Sequence, residues 1–151
     1  MEVSNQFGNQ ILELYGPVAL AVPTQKEGHD APVGLDHYLL YTVVPPSPEV
    51  YKPVYLIDQF IDGQEATATV PLFFANPVQK THGDDITPIE HYNAHLVFYG
   101  LGIDGIFATD WITVDNQFGE QEIVAFYPGE GPTILGVPSH KLWWETYEPL
   151  P

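Results

Sequence analysis

The sequence predicts an all-β protein, an internally repeated β-sandwich or barrel, with a β-trefoil as the alternative. Three observations predict it. Short segments rich in β-branched and aromatic residues recur at intervals of about 8–12 residues, separated by Gly, Pro, Asn or Asp. No window of helical length carries a 3.6-residue apolar period free of Pro or Gly. One motif also returns three times along the chain.

That motif is Asn5-Gln6-Phe7-Gly8-Asn9-Gln10, matched by Asp58-Gln59-Phe60-Ile61-Asp62-Gly63-Gln64 and by Asn116-Gln117-Phe118-Gly119-Glu120-Gln121. It reads as a turn joining two strands, with Gly8 and Gly119 free to take positive φ. Apolar segments follow, Ile11 to Leu14 and Val18 to Val22 in the first unit, and each unit then reaches Pro-x-x-Lys: Pro23 to Lys26, Pro77 to Lys80, Pro138 to Lys141. From the motif's last Gln to the Lys is 16 residues in the first two units and 20 in the third, which adds the turn Pro128 to Pro132. A His stands 11 residues beyond the first two Lys, in Asp36-His37-Tyr38 and Glu90-His91-Tyr92. Strands are expected at Tyr38 to Val44, Val54 to Ile57, Leu72 to Phe74, Leu96 to Tyr99, Trp111 to Val114 and Ile123 to Phe126. Val44 to Pro48 and Gly100 to Gly105 read as short connectors. The units therefore run over about residues 3–44, 56–99 and 114–144 of one domain, 1–151, the third lacking the acid-His-Tyr strand and passing into an aromatic arm, 142–151.

Composition sets limits on function. There are 20 Asp and Glu against 4 Lys and no Arg, a net charge of −16, and no Cys. Nucleic acid is excluded as a partner because phosphate neutralisation needs clustered cations. No apolar run reaches the ~18 residues of a membrane span, so membrane insertion is not expected. Disulfides and thiolate metal sites are ruled out.

The repeats resemble a bacterial repeat domain of unknown function found in tandem in secreted and cell-surface proteins. The resemblance rests on Asn-Gln-Phe-Gly-x-Gln, on Val-Pro-x-x-Lys (Val22 to Lys26, Val137 to Lys141) and on Asp-His-Tyr-x-x-Tyr (Asp36 to Tyr41). It covers most of units one and two and the first half of unit three. It implies extracellular placement and no catalysis. Leu40 and Ala94 stand where that family has Cys, so no disulfide is implied here.

Candidate residues follow from repetition. Gln6, Phe7, Lys26 and His37, with Gln59, Phe60, Lys80 and His91 and with Gln117, Phe118 and Lys141, are expected to be structural. Each Lys is read as a pin holding its own turn. His95 stands where unit one has Tyr41 and reads as an aromatic replacement; paired with His91 on a strand it would lie about 13 Å away, too far for one metal ion. Asp84, Asp85, Asp58 and Asp62 offer hard oxygen ligands, and calcium is a reasonable counterion in so acidic a chain. Ser4, Ser47 and Ser139 lack a nucleophile's context, and no phosphate-binding or dinucleotide motif occurs. No enzyme is expected.

Two function classes remain. In the first, an extracellular or cell-surface structural or adhesive module, mature and without a signal peptide, self-associates into an oligomer or filament. It would do so through the edge that the truncated third unit leaves open and through Trp143, Trp144 and Tyr147. In the second, a glycan stacks on Trp111, Trp143, Trp144 or surface Tyr. A virion-associated structural protein is a further variant of the first.

Overall fold

The computed structural model describes residues 1–44, 49–57, 63–103, 110–125 and 133–143. Unit one supplies β1 (Glu2–Asn5), β2 (Gly8–Ile11), β3 (Leu14–Ala21), β4 (Gln25–Lys26) and β5 (His37–Val43). Unit two supplies β6 (Lys52–Leu56), β7 (Gln64–Val78), β8 (Lys80–His82), β9 (Asp85–Thr87) and β10 (His95–Ile103). Unit three supplies β11 (Asp110–Asn116), β12 (Gly119–Ala125) and β13 (Ile134–Trp143). No helix occurs among the described residues. The fold is all-β.

The repeated motif forms the hairpin turn it predicts. Gly8 and Gly119 have φ of 107° and 93°, a region that a side chain disfavours. The Asn5 and Asn116 carboxamide oxygens accept the N–H of Phe7 and Phe118, each at 2.9 Å, which closes an Asx turn. The second copy's turn, with Asp58, Gln59, Phe60 and Asp62, lies outside the described residues, as do Pro45 to Pro48.

Three boundaries differ from expectation. The expected strand Ile11 to Leu14 is interrupted at Leu12 and Glu13, between β2 and β3, with Leu12 buried. Leu72 to Phe74 is the middle of the 15-residue β7, where the ladder tolerates Pro71 by shifting register opposite Tyr99, as a missing N–H requires. Residues 100–103, read as a connector, continue β10.

The main antiparallel sheet runs β2-β1-β13-β10-β7-β5-β3, with β6 added on β7. It curls like a barrel without closing: its two ends, β2 and β3, come from the single stretch of residues 8–21. A three-stranded sheet, β12-β11-β4, and the hairpin β8-β9 complete the regular structure of the described residues. The first hairpin belongs to the main sheet and the third to the small one, so three-fold trefoil symmetry is absent from the described residues. A sandwich of antiparallel sheets remains the consistent description. Val3, Leu12 and Val43 of unit one, Phe74, Val97 and Tyr99 of unit two and Val137 of unit three share one buried cluster. The three units fill one core.

The open edge expected on unit three is occupied. β13 pairs with β10 on one side and with β1 on the other, Val3 opposite Lys141 and Ser4 opposite His140. The N-terminal strand thus supplies part of what the truncated unit lacks.

Candidate functional site

The repeated positions meet across units more than within them. Val3 and Val114 each stand two residues before a hairpin Asn; Val3 lies opposite Lys141 and Val114 opposite Lys26. The hairpin of one terminal unit therefore docks on the Pro-x-x-Lys segment of the other, in the same register. The Lys80 ammonium donates to the Gln117 carboxamide oxygen, so the second unit's Lys also reaches the third hairpin. Gln6 is exposed, as is Gln117.

The first hairpin feeds a polar seam into the core. The Asn5 amide donates to the Tyr99 hydroxyl at 2.8 Å and to Ser139 Oγ at 3.0 Å, and the Tyr99 hydroxyl donates to Gln10 Oε1 at 2.6 Å. Phe7 packs edge-on against the Tyr99 ring, 5.0 Å between centroids. Burial raises the Tyr99 pKa against the lowering pull of the Asn5 and Gln10 hydrogen bonds. Phe118, at the equivalent place in unit three, is exposed, and Asn116 instead donates to Thr24 Oγ1 at 3.3 Å. The same turn therefore serves two different settings.

The two acid-His-Tyr triplets touch. Asp36 oxygens accept the backbone N–H of Glu90 at 2.7 Å and of His91 at 2.9 Å, with His91 Nδ1 at 3.2 Å. The Asp36 side chain is 2% exposed. Its burial raises the pKa, yet the two backbone donors and the His91 ring outweigh that and hold it below the usual carboxylate value. This latch ties unit one to unit two.

Structural equivalence corrects the sequence alignment of the histidines. His37 lies opposite Val78 and His95 opposite Ser139, and Val78 and Ser139 each follow the Pro of a Pro-x-x-Lys segment. Within units, Ala21 pairs Tyr38 and Ala75 pairs Leu96, and both alanines stand two residues before that Pro. His37 therefore corresponds to His95, not to His91, which sits in the turn before β10. The four-residue offset follows from the β8-β9 hairpin, which unit one lacks. His37 and His95 are both buried, and Nδ1 of each has no hydrogen-bond partner among the described residues. His95 stacks on Phe74 at 5.5 Å. Burial, then the charges of Lys141 and His140, push its pKa down to about 4.

Other expected residues are scattered. Asp84 lies in the β8-β9 turn and Asp85 opens β9, both exposed, and among the described residues no three His, Asp or Glu converge as metal ligands would. Trp111 is exposed on β11. Trp143 ends β13 opposite Glu2, while Trp144 and Tyr147 lie outside the described residues.

What the structure gathers instead is an apolar edge. Among the described residues, β3, Leu-Tyr-Gly-Pro-Val-Ala-Leu-Ala, ends the ladder and pairs only with β5. Seven of its eight residues are exposed, among them Tyr15, Val18 and Leu20. Between Glu13 and Lys26 there is no charged residue. Register shifts around Pro17 leave the regular pairing at Ala19–Leu40, Leu20–Leu39 and Ala21–Tyr38. The uninterrupted apolar reading of Val18 to Val22 marks a strand, but only topology shows that it is an edge.

No curated protein and no solved structure is detectably similar to this chain. A family model does match, over residues 1–126, which take in both full units and the third hairpin. On that match the chain belongs to the family described as a repeat of unknown function, DUF7450.

Proposed function

We propose that this chain is a non-enzymatic structural module of an extracellular or cell-surface assembly, joined to further copies of itself through β3. The observation that carries this reading is the β3 edge, exposed on both faces and uncharged in a molecule of net charge −16. Unpaired strand edges template pairing with another strand. Two copies meeting there bring together the stretch with least mutual repulsion, and antiparallel pairing of β3 with β3 gives a two-fold interface.

The aromatic arm, residues 142–151, supplies a second contact, and two different contacts per copy extend a dimer into a filament. Divalent cations, calcium among them, act in this proposal as counterions between acidic surfaces; EDTA then weakens the assembly. A virion-associated role uses the same contacts.

Light scattering on size-separated protein tests the proposal. The wild type elutes with a mass above one chain at tens of micromolar, and Leu20→Lys with Val18→Lys returns it to a monomer with an unchanged β-type circular dichroism spectrum. A wild type that stays monomeric at every concentration and ionic strength overturns it.

A further inference from the structure

The N-terminal half of β7, with β6 on one side and β10 on the other, forms a shallow open trough of about 430 Å³. Tyr55 lies opposite Glu65, Pro53 opposite Thr67, and Thr67 opposite Gly102, so these five residues belong to one face of the three strands. The buried Ala66 takes the opposite parity and belongs to the core side.

Two features indicate a built surface. Tyr55 is 66% exposed, and its ring lies across Gly63, where an added Cβ would come within 2.1 Å of the hydroxyl oxygen. Gly63 has φ of 86°, a backbone that favours glycine, and its missing side chain gives the Tyr55 ring room to lie over it. Gly102 is different. Its backbone is not left-handed, and a Cβ there would meet Thr67 only at ordinary contact distances of 3.7 and 4.0 Å. Folding does not require glycine at 102, and what its missing side chain leaves is space in the trough.

We propose that this trough binds a neutral carbohydrate. An aromatic ring set beside hydrogen-bonding groups suits a pyranose, whose C–H face packs on the ring while its hydroxyls bond outward. Here the Tyr55 ring supplies the platform, the Glu65 carboxylate accepts from sugar hydroxyls, and Thr67 offers a hydroxyl on the trough floor. The volume lies in the range of small-ligand sites. The openness of the trough to solvent lets a sugar within a longer chain enter without a free end. Acidic sugars are rejected, since the lining among the described residues holds a carboxylate and no cation and the chain carries a net charge of −16. The site is separate from β3, so it stands or falls independently of self-association.

Affinity electrophoresis of the full chain through gels containing glucan, mannan, xylan or polygalacturonate tests this. The expected result is retardation by at least one neutral polysaccharide and none by polygalacturonate. Tyr55→Ala and Gly102→Val are each expected to weaken that retardation tenfold or more. Thermal melts confirm that the variants are folded, and Leu20→Lys, which removes the β3 contact, keeps the retardation. Migration unaffected by all three neutral polymers overturns the proposal, as does retardation that survives both trough substitutions or occurs in polygalacturonate alone. Tyr55-dependent binding of choline with no polysaccharide binding would mark the trough as a cation site and overturn it equally.

Discussion

Asp36 shows how a repeated residue can do a job that repetition does not reveal. Its carboxylate accepts the N–H groups of Glu90 and His91, and a hydrogen bond to a charged group is worth about 1.5–3 kcal/mol. Asp36→Ala is therefore expected to lower the unfolding free energy by about 3 kcal/mol, read from urea titration at pH 7; a change below about 1 kcal/mol would show that the latch contributes little. Because the folded pKa of Asp36 is lowered, its stabilisation is present above the unfolded carboxylate range and fades as pH falls through it. His95 adds an acid-side term at higher pH. Its pKa falls from 6.5 to about 4 on folding, so stability is full above 6.5 and declines as pH drops toward 4, by at most about 3 kcal/mol. His95→Phe, which keeps the stack on Phe74 and removes the buried Nδ1, is expected to flatten the urea midpoint between pH 6.5 and 4; an unchanged slope would count against it. Tyr51, at φ of 43°, is strained by about 1–2 kcal/mol, and nothing in the structure explains its retention. The hairpin Asn, Phe and Gly were legible in the sequence because an Asx turn is local chemistry. The partners of Asp36 and His95 were not, since the triplets align at His91 while the ladder aligns at His95.

Strands were readable wherever β-branched and aromatic residues lay between turn residues, but their partners depended on the rest of the sheet. The sequence predicts an unfilled place beside the last strand of the truncated unit. The place is taken by β1, the strand most distant in the chain, whose Val3 is fully buried and whose neighbour Asn5 holds Tyr99 and Ser139. Such long-range pairing leaves no local trace. Removal of residues 1–5 deletes both the buried Val3 and the hub of the polar seam, and it uncovers the β13 edge. Burying a Val side chain is worth about 1.5–3 kcal/mol, and the Tyr99 and Ser139 oxygens each lose the Asn5 donor, which adds to the loss. The truncated protein is expected to melt at least 10 °C lower and to aggregate from the folded state. Melting within 3 °C of the full chain would show that β13 does not depend on β1. The single-residue change Val3→Ala, which keeps the strand, should cost less and cause no aggregation. That contrast separates loss of the edge cover from loss of packing.

At the scale of the whole molecule, charge governs whether the apolar edge can be used. Sixteen uncompensated negative charges repel a second copy before β3 can meet β3, and repulsion of this kind is screened over a Debye length of about 30 Å at 0.01 M salt but about 8 Å at 0.15 M. Self-association through β3 is therefore expected to rise with ionic strength, opposite to an assembly held by ion pairs. It should rise again as pH falls from 7 toward the pI near 4.3, where the carboxylates neutralise. Below that range the two residue-scale terms work the other way, because His95 has taken up a proton and Asp36 is losing its charge, so the fold weakens as repulsion vanishes. The scattering mass plotted against pH should consequently climb to a maximum above the pI and then give way to unfolded aggregate, with circular dichroism marking the boundary. Adding sodium chloride at pH 7 reproduces the climb without the loss of structure, and Leu20→Lys removes it in both titrations. If the mass falls with added salt, copies are joined by charge and not by the β3 edge.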